Sequence, residues 1–329
     1  MTLTNEWFFE PSKFLSFRDQ KVCARVRKIK RANLCRHPNK NFKIRIVDDE
    51  SNFFFQFATH VVAGIKQAAD EGRQYVIILP APWPHYRWVA HMINIMNIDC
   101  RHVHTFNMDE WADQDGNEAP ITWPGGFRYW MWKDLFSQIK PSLRMPEKQI
   151  HFPGKKNIKQ YSQMIEDLGG ADVCYGGIGW CGHIAFFESH LGEEFGNDIK
   201  AYLRAGSRLV ELHPLTILQS CVYADNAGAG DWAYVPSKAY TIGPRDLKGS
   251  KLVSFWNAGY AGGGFAWQKF ITRLAAHGPV TPLVPSSILQ ILRSELHILG
   301  KVADDLDYNV PLRLDSMPWE GAHPWPPEK

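Results

Sequence analysis

The sequence lacks the features of a membrane or secreted protein. No apolar run approaches the roughly 18 residues that a membrane-spanning helix requires. The first residues, Met-Thr-Leu-Thr-Asn-Glu-Trp, have neither the basic start nor the apolar stretch of a secretion signal. These absences argue against a membrane-spanning or exported protein, and we expect a cytoplasmic protein without membrane contacts.

Cysteine is scarce, and its positions show no paired pattern. The six cysteines include no Cys-x-x-Cys pair and lie at positions 23, 35, 100, 174, 181 and 221. In a chain of 329 residues, scattered cysteines of this kind indicate reduced thiols and not a disulfide framework. No cluster has the ligand spacing typical of a zinc site, so we expect no metal.

Aromatic residues, in contrast, are abundant. They make up 13% of the chain and include 13 tryptophans, whereas hydrophobic residues at 45% and charged residues at 22% are ordinary for a globular protein. The aromatic count fits either a well-filled core or a surface that contacts carbohydrate, and it does not choose between them.

Charge is distributed unevenly along the chain. The first 45 residues carry 12 Lys and Arg against 3 Asp and Glu, so they contribute +9 to a net charge of +3 and leave −6 for the rest. One interpretation is an arm that binds nucleic acid or another acidic partner. We favour an exposed helix face that docks on the acidic body or on a neighbouring subunit, because no aromatic-interleaved groove or reader motif accompanies the charge.

Strand and helix patterns alternate along the chain. Residues 42–47 alternate apolar and basic residues, and residues 75–79 form the continuous β-branched run of an interior strand. The other candidate strands are residues 102–106, 171–175, 239–242 and 252–256; the candidate helices are residues 52–70, after a good helix start at 48–51, 86–97, 159–168 and 283–299. The alternation predicts an α/β fold with a doubly wound, mostly parallel sheet and helices on both faces.

Two segments carry candidate chemistry, since ligands of such sheets bind beyond the carboxyl ends of the strands. Asp109 and Glu110 follow the strand at 102–106, and one of them can face the crevice as a general base. The alternative is a helix cap or a surface charge. In the second segment, glycines precede His183, which can move protons near neutral pH, and Glu188 lies close enough to orient it. A glycine-rich turn with a structural histidine is the alternative there.

The same segments carry a family resemblance. Thr-Phe-Asn-Met-Asp-Glu at residues 105–110 and Gly-Ile-Gly-x-x-Gly-His-Ile-Ala-Phe-x-Glu at residues 177–188 resemble the signature segments of the glucosamine-6-phosphate deaminase/isomerase family. They lie in the same order and at about the same distance. Residues 235–243 and 279–290 are similar to that family's late strand and to the start of its closing helix.

The extent of the resemblance suggests a domain organisation. It covers roughly residues 42–300, which is one whole domain by size. We therefore expect a basic N-terminal extension over residues 1–41 and a C-terminal extension with a proline-rich tail over residues 301–329. The family resemblance also implies a homo-oligomer.

The resemblance implies roles for individual residues. Asp109 would move a proton between sugar carbons 1 and 2, and His183 would assist opening of the pyranose ring while Glu188 tunes its charge. This chemistry needs no metal or organic cofactor. The substrate would be a small-molecule sugar, bound by residues in the loops after two strands: Pro80, Ala81, Trp83, Gly177, Gly179, Trp180 and Gly182.

The sequence departs from the family where phosphate should bind. The family has a Gly/Ser/Thr-rich loop after an early strand, but here residues 80–85 read Pro-Ala-Pro-Trp-Pro-His, and three prolines offer no N–H to an anion. The positions of two phosphate-binding cations fall near Cys221 and within residues 257–263. Arg87, Arg208 and Lys238 are possible substitutes. Phosphate recognition is therefore not predicted.

A further departure lies beside the histidine. Where the family has Asp two residues earlier, this chain has Cys181. A neutral thiol supports an imidazolium less than a carboxylate does, so we expect His183 to be protonated less often. Cys181 is either a participant in altered chemistry or, as an inert small side chain, the mark of a tolerated loss or of decay toward an inactive protein.

Three functions are consistent with these residues. The leading hypothesis is an isomerase or deaminase that acts on a sugar or amino sugar. Trp83, Trp111 and Trp180 follow strands in our assignment, and aromatic faces suit a sugar that carries no phosphate; packing beneath loops is the alternative fate of these side chains. The other hypotheses are a sugar-lactone hydrolase, as in the related 6-phosphogluconolactonases, and a non-catalytic sugar sensor or structural protein.

Overall fold

Ten β-strands organise the computed structural model over the part of the chain that it describes, residues 9–81, 83, 85–222, 229–259 and 266–306. Pro82, Pro84, residues 260–263 and the proline-rich tail lie outside these ranges. In chain order the strands are β1 (Phe42–Val47), β2 (Tyr75–Leu79), β3 (Val103–Asn107), β4 (Asp109–Ala112), β5 (Ile150–His151), β6 (Val173–Gly176), β7 (Arg208–Glu211), β8 (Lys238–Thr241), β9 (Val253–Asn257) and β10 (Ser294–Leu299).

Seven of these strands form one parallel sheet in the order β1-β10-β9-β6-β2-β3-β5. All five side chains of β2 are buried, as the continuous apolar run at 75–79 predicts for an interior strand. The predicted α/β class with a doubly wound, mostly parallel sheet is confirmed. The six predicted strands lie within two residues of the observed ones.

Helices connect the strands and cover the sheet. Three of the four predicted helices form within two residues of their expected bounds, and Asp49 caps the first by accepting a hydrogen bond from Asn52 N at 2.6 Å. The helices are α1 (Gln20–Arg27), α2 (Arg31–Leu34), α3 (Glu50–Asp70), α4 (Tyr86–Ile95), α5 (Phe127–Asp134), α6 (Ile158–Asp167), α7 (Ile199–Tyr202), α8 (Pro214–Val222), α9 (Pro244–Lys248), α10 (Lys269–His277) and α11 (Gly300–Ala303). Within the described ranges, none is long and apolar enough to cross a membrane.

The prediction of a helix over residues 283–299 is wrong. Residues Pro285–Ile291 form a 3₁₀ helix, and β10 follows it between β1 and β9. Because an interior strand buries both faces, all six residues of β10 are buried. A short run that is buried all round carries no period-2 signal, so its apolar spacing does not separate a strand from a helix.

A second, three-stranded sheet was not predicted. It is antiparallel and has the order β4-β8-β7. The strand predicted at residues 239–242 is β8, the central strand of this small sheet. Only one residue, Met108, separates the end of β3 from the start of β4, so the chain passes directly from the main sheet into the small one. This transition brings Asp109 to the edge where the two sheets meet.

The basic N-terminal segment docks on the body of the same chain. Helix α1 packs against α10 and buries Val26, and Leu34 of α2 is also buried. Arg25 donates a hydrogen bond to the carbonyl of His277 at 2.8 Å, and the fully buried Arg273 donates to the carbonyl of Ile29 at 2.9 Å. These contacts agree with the docking interpretation of the charge.

Candidate active site

The candidate site lies at the switch point of the main sheet. β2 and β6 are neighbours, and the chain extends the sheet from them in opposite directions, through β3 and β5 on one side and through β9 and β10 on the other. In open α/β sheets, a crevice forms at such a point beyond the carboxyl ends of the strands. The segments that follow β2, β3 and β6 border this crevice.

A cavity of about 290 Å³ lies in the crevice, close to the lower limit of about 300 Å³ for small-molecule sites. Seven of the predicted site residues line it: Pro80, Ala81, Trp83, Asp109, Gly177, Gly179 and His183. Much of the remaining wall is aromatic and consists of Phe53, Phe54, Phe127, Phe186, Trp256 and Trp267. Among the described residues, no lysine or arginine lines this cavity.

Strand pairing fixes Asp109 at the cavity wall. The residue begins β4 and lies opposite Thr241 of β8. The preceding Met108 donates its N–H to Leu79 O at 3.0 Å and accepts a hydrogen bond from Ile242 N at 2.9 Å, which ties this point to both sheets. The Asp109 side chain is 5% exposed. A carboxylate held rigidly against a cavity has the placement that a general base requires.

Glu110 lies outside the cavity and caps a helix. Its carboxylate accepts hydrogen bonds from the N–H groups of Phe127 at 3.0 Å, Arg128 at 2.7 Å and Trp111 at 3.0 Å, so it caps the start of α5. Burial raises the pKa of Glu110 to about 7, although these backbone donors oppose the shift. Of the two adjacent acids, only Asp109 faces the cavity.

The glycine-rich loop after β6 turns back on itself, so the ring of His183 lies against the backbone of Gly179. A Cβ atom on Gly179 would lie 1.7 Å from Nε2 of His183, so only glycine leaves room for the ring. Gly182 has a φ of +84°, a conformation that favours glycine, and it does not line the cavity. Asn257 and Gln268 hold the loop through the backbone of Ile178, at 3.0 and 2.6 Å.

Three side chains surround the other ring nitrogen of His183. Nδ1 lies 2.9 Å from Thr216 Oγ1, 3.4 Å from Cys181 Sγ and 3.6 Å from Glu188 Oε1. Burial lowers the pKa of His183, but Cys181 and Glu188 outweigh it and raise the pKa above its ordinary value. The expectation that Cys181 leaves His183 less often protonated than an aspartate would stays a prediction, and the Glu188 carboxylate lies 3.6 Å from Nδ1, close enough to stabilise the imidazolium.

Glu188 is completely buried behind His183. Its Oε2 accepts a hydrogen bond from the backbone N–H of His213 and lies 3.7 Å from Nδ1 of His190. Cys181 is buried as well, and its Sγ lies 3.9 Å from Thr216 Oγ1. Cys181, His183 and Glu188, which the sequence placed within residues 181–188, are thus brought together in space.

The three predicted tryptophans have different positions. Trp83 lines the cavity, and its ring lies 4.7 Å from that of Phe57. Trp111 is buried in β4, with its ring 4.8 Å from Phe186, and it belongs to the core. Trp180 does not line the cavity; its ring lies 5.8 Å from Trp267, which does. Only Trp83 of the three is placed to contact a ligand there.

His85 extends the aromatic wall beside Trp83. Its ring stacks on Phe54 with the centroids 3.5 Å apart and the planes 6° from parallel. Burial lowers the pKa of His85 to about 4, so this ring is neutral near pH 7. The part of the wall formed by Trp83 and His85 is therefore aromatic and uncharged near pH 7.

The possible substitute cations are engaged elsewhere. Arg87 pairs with Asp134 at 2.6 Å, Arg208 pairs with Glu194 at 2.8 Å, and Lys238 donates to the carbonyl of Gln114 at 3.0 Å. None of these cations lines the cavity, and neither does the buried Cys221.

Helix α8 supplies site residues that the sequence analysis missed. Thr216 contacts His183, Gln219 and Ser220 line the cavity, and the Gln219 side chain accepts a hydrogen bond from Trp180 N at 2.8 Å. Pro214 at the first position of the helix was an available signal for its start. No local pattern marked Thr216 as a neighbour of a histidine 33 residues away.

Comparisons with known proteins show which proteins the chain resembles. No protein-family model matches it. The glucosamine-6-phosphate deaminase of Clostridium botulinum (strain Kyoto / Type A2) is 27% identical over 225 residues, which cover 66% of this chain and 80% of that protein. The protein of the same name from Borrelia hermsii is 29% identical over 206 residues, which cover 60% and 68%. The chain is similar to glucosamine-6-phosphate deaminases and diverges from them in most of its sequence.

Solved structures share the fold of this divergent relative. A monomeric glucosamine-6-phosphate deaminase superposes with a TM-score of 0.65 at 20% identity, over 79% of this chain and 98% of that one. The 6-phosphogluconolactonase from Trypanosoma cruzi gives 0.57 at 12% identity, over 82% and 98%. The resemblance drawn from residues 105–110 and 177–188 is confirmed at the level of family and fold.

Proposed function

We propose that this chain is a sugar isomerase or deaminase that moves a proton between C1 and C2 of a sugar or amino sugar. The observation that carries the proposal is that Asp109 and His183 line one cavity at the switch point of the sheet. The names of the curated relatives support the same reaction class.

The two residues take complementary steps. Opening of a pyranose breaks the bond between C1 and the ring oxygen; the ring oxygen receives a proton from the imidazole of His183, and the C1 hydroxyl loses its proton to solvent as the aldehyde forms. Asp109 then removes the proton from C2 of the open-chain aldose and returns it to C1, while the proton of the C2 hydroxyl passes to the C1 oxygen, which gives the ketose. With an amino sugar the same transfer gives a C2 imine, which water hydrolyses with release of ammonia. A carboxylate and an imidazole are the side chains that most often perform such transfers near neutral pH.

Glu188 and Thr216 position the imidazole for this step. Both lie on the Nδ1 side of His183, at 3.6 and 2.9 Å, and Glu188 is completely buried. A buried carboxylate next to Nδ1 favours the protonated ring electrostatically. The Nε2 side of the ring lies against Gly179, which is itself part of the cavity wall.

We further propose that the substrate carries no phosphate. Pro80, Ala81 and Trp83 occupy the place of a phosphate loop, and no lysine or arginine among the described residues lines the cavity. A phosphate dianion in such a site would lack the oriented N–H groups and cations that stabilise it. The aromatic wall suits the C–H face of a sugar ring.

The test is proton NMR in D2O with free and phosphorylated aldoses, ketoses and amino sugars, following the signal at C2. The proposal predicts deuterium uptake with an unphosphorylated sugar, and loss of that uptake in Asp109→Asn. Asp167→Asn, the same change at an exposed position of α6, is the matched control and should exchange like the native chain. Unchanged exchange in Asp109→Asn would exclude Asp109 as the base.

The same panel separates the alternative functions. A sugar-lactone hydrolase would open lactones without exchange at C2, and the solved lactonases share the fold. A sugar sensor would be stabilised thermally by a ligand without turnover. Exchange that occurs only with phosphorylated sugars would contradict the substrate class and leave the reaction class in place.

Assembly and location are further parts of the proposal. We propose a homo-oligomer, as the family resemblance implies, and light scattering of the purified chain tests it. We also propose a cytoplasmic location, which is supported by six cysteines that are all free. Fractionation of cells that produce the chain tests the location.

A further inference from the structure

Three potential metal ligands converge behind the cavity. They are Cys181 Sγ, His183 Nδ1 and Glu188 Oε1, and these atoms all lie within 4.8 Å of one another. All three residues are buried. The spacing Cys-x-His-x₄-Glu brings them together because the loop turns back at Gly182, whose φ is +84°.

One buried polar atom of the cluster, Glu188 Oε1, has no hydrogen-bond partner. His183 Nδ1 carries at most one proton, and Thr216 Oγ1 is already at hydrogen-bond distance, 2.9 Å. Glu188 Oε1 is buried and has no hydrogen-bond partner; its ion-pair distance to Nδ1 is 3.6 Å. A buried carboxylate oxygen without a partner is costly, and a cation placed between the three atoms would satisfy it.

Two of the three ligand–ligand distances fit a zinc-sized ion, and the third, between the Cys181 sulfur and the Glu188 carboxylate, is at most 4.8 Å. At the usual bond lengths of zinc to sulfur, nitrogen and oxygen, two ligand atoms on a tetrahedral ion lie about 3.3 to 3.6 Å apart. Nδ1 is 3.4 Å from Sγ and 3.6 Å from Oε1. We propose that Cys181, His183 and Glu188 form a binding site for a divalent cation of the zinc class, with the Thr216 hydroxyl beside the fourth position.

Charge supports this assignment. A divalent cation binds cysteine as a thiolate and glutamate as a carboxylate, and in a buried place it would neutralise the negative charges of both ligands. Among the described residues, no lysine or arginine forms an ion pair with Glu188, whose ion-pair neighbours are His183 and His190. A sulfur, nitrogen and oxygen ligand set is also one that zinc accepts readily.

A route for the ion exists on the side away from the sugar cavity. Cys181 lines a second cavity of about 260 Å³, together with Ser189 and His213 and a mostly apolar wall. The ion would occupy Nδ1 and leave Nε2, which lies against Gly179, on the side of the sugar cavity. The site goes beyond the proposed isomerase or deaminase activity. An ion on Nδ1 excludes the imidazolium that the proposed ring opening uses, so the metal-bound and the catalytic forms of His183 are alternatives.

Cobalt(II) binding to the full-length purified chain tests the site, because cobalt occupies zinc sites and a thiolate ligand gives a charge-transfer band in the near ultraviolet. We expect one cobalt per chain with that band, displaced by zinc. Cys181→Ser should abolish the band, and Glu188→Gln should weaken binding by about 100-fold. Cys221→Ser, a buried cysteine of α8 outside the cluster, is the matched control and should keep the band.

Several outcomes would overturn the site. They are a folded native chain that binds neither cobalt nor zinc stoichiometrically, a bound cobalt without a thiolate band, and a band that persists in Cys181→Ser. Near-ultraviolet circular dichroism shows whether each variant is folded. If Cys181→Ser does not fold, the comparison of the native chain with Glu188→Gln decides, since unchanged affinity in Glu188→Gln would exclude the carboxylate as a ligand.

Discussion

Gly179 and His183 share one space, because a Cβ atom at position 179 would lie 1.7 Å from Nε2 of the imidazole. The ring can face the cavity only while residue 179 has no side chain. The glycine-rich turn is therefore required by the placement of the histidine and not only by the bend of the backbone.

Gly179→Ala should displace the His183 ring and lower kcat/KM for C2 proton exchange by about 100-fold, since a shift of about 1 Å in a catalytic group has that effect. The matched control is Gly249→Ala, where the nearest atom to a new Cβ is 3.3 Å away and φ is −75°. Kinetics on the substrate found by NMR would measure both variants. Equal activity would show that the ring position does not matter for turnover.

Glu110→Gln should reduce stability. The two carboxylate oxygens accept hydrogen bonds from the backbone N–H groups of Phe127, Arg128 and Trp111, and the substitution replaces one of these oxygens with an NH₂ donor. We expect a loss of about 2 kcal/mol in the free energy of unfolding, the scale of a hydrogen bond to a charged group. Urea unfolding gives this number. A folded Glu110→Gln with C2 exchange reduced as far as in Asp109→Asn would contradict the helix-cap role.

Trp83 and Trp111 should respond differently to truncation. Trp83→Ala removes part of the cavity wall and should raise KM about tenfold. Trp111 is a core residue that is 1% exposed, so Trp111→Ala should lower the free energy of unfolding by about 3 to 5 kcal/mol. Steady-state kinetics and urea unfolding of both variants separate the effects. An unchanged KM in Trp83→Ala would argue against sugar contact at that wall.

The stability of the protein should fall in acid through Glu295 of β10. Burial raises the pKa of this carboxyl, but His297, His60 and Ser254, at 3.3, 3.1 and 2.8 Å, outweigh it and hold the pKa below its ordinary value of 4.5. The unfolded chain therefore binds a proton near pH 4.5 that the folded chain does not. The stabilisation is present above that pH and is lost as the pH falls through the folded pKa, by up to about 1.4 kcal/mol per pH unit.

Glu295→Gln provides the comparison for this effect. Its free energy of unfolding should depend less on pH between about 4.5 and 3 than that of the native chain, because the titrating group is absent. Urea unfolding at a series of pH values measures the two slopes. Parallel slopes would show that Glu295 does not carry the acid sensitivity.

Local patterns predicted much of the fold. The buried run at 75–79, the alternation at 42–47 and the cap at Asp49 each depend on neighbouring residues, and all three are observed. The strand at 294–299 was missed because its partners, β1 and β9, are distant in sequence, and an apolar segment buried on both faces looks the same in a helix or a strand.

The sequence by itself determined the parallel sheet, the resemblance to glucosamine-6-phosphate deaminases, and the short segments that hold Asp109, His183 and Glu188, because each is encoded within a few consecutive residues. Only the tertiary structure decided that Asp109 faces the cavity while Glu110 caps α5. It alone brought Thr216 to His183 and placed Cys181 and Glu188 on the same ring nitrogen. Such relationships depend on strand pairing and on the direction of each side chain, which residues far apart in the chain decide together.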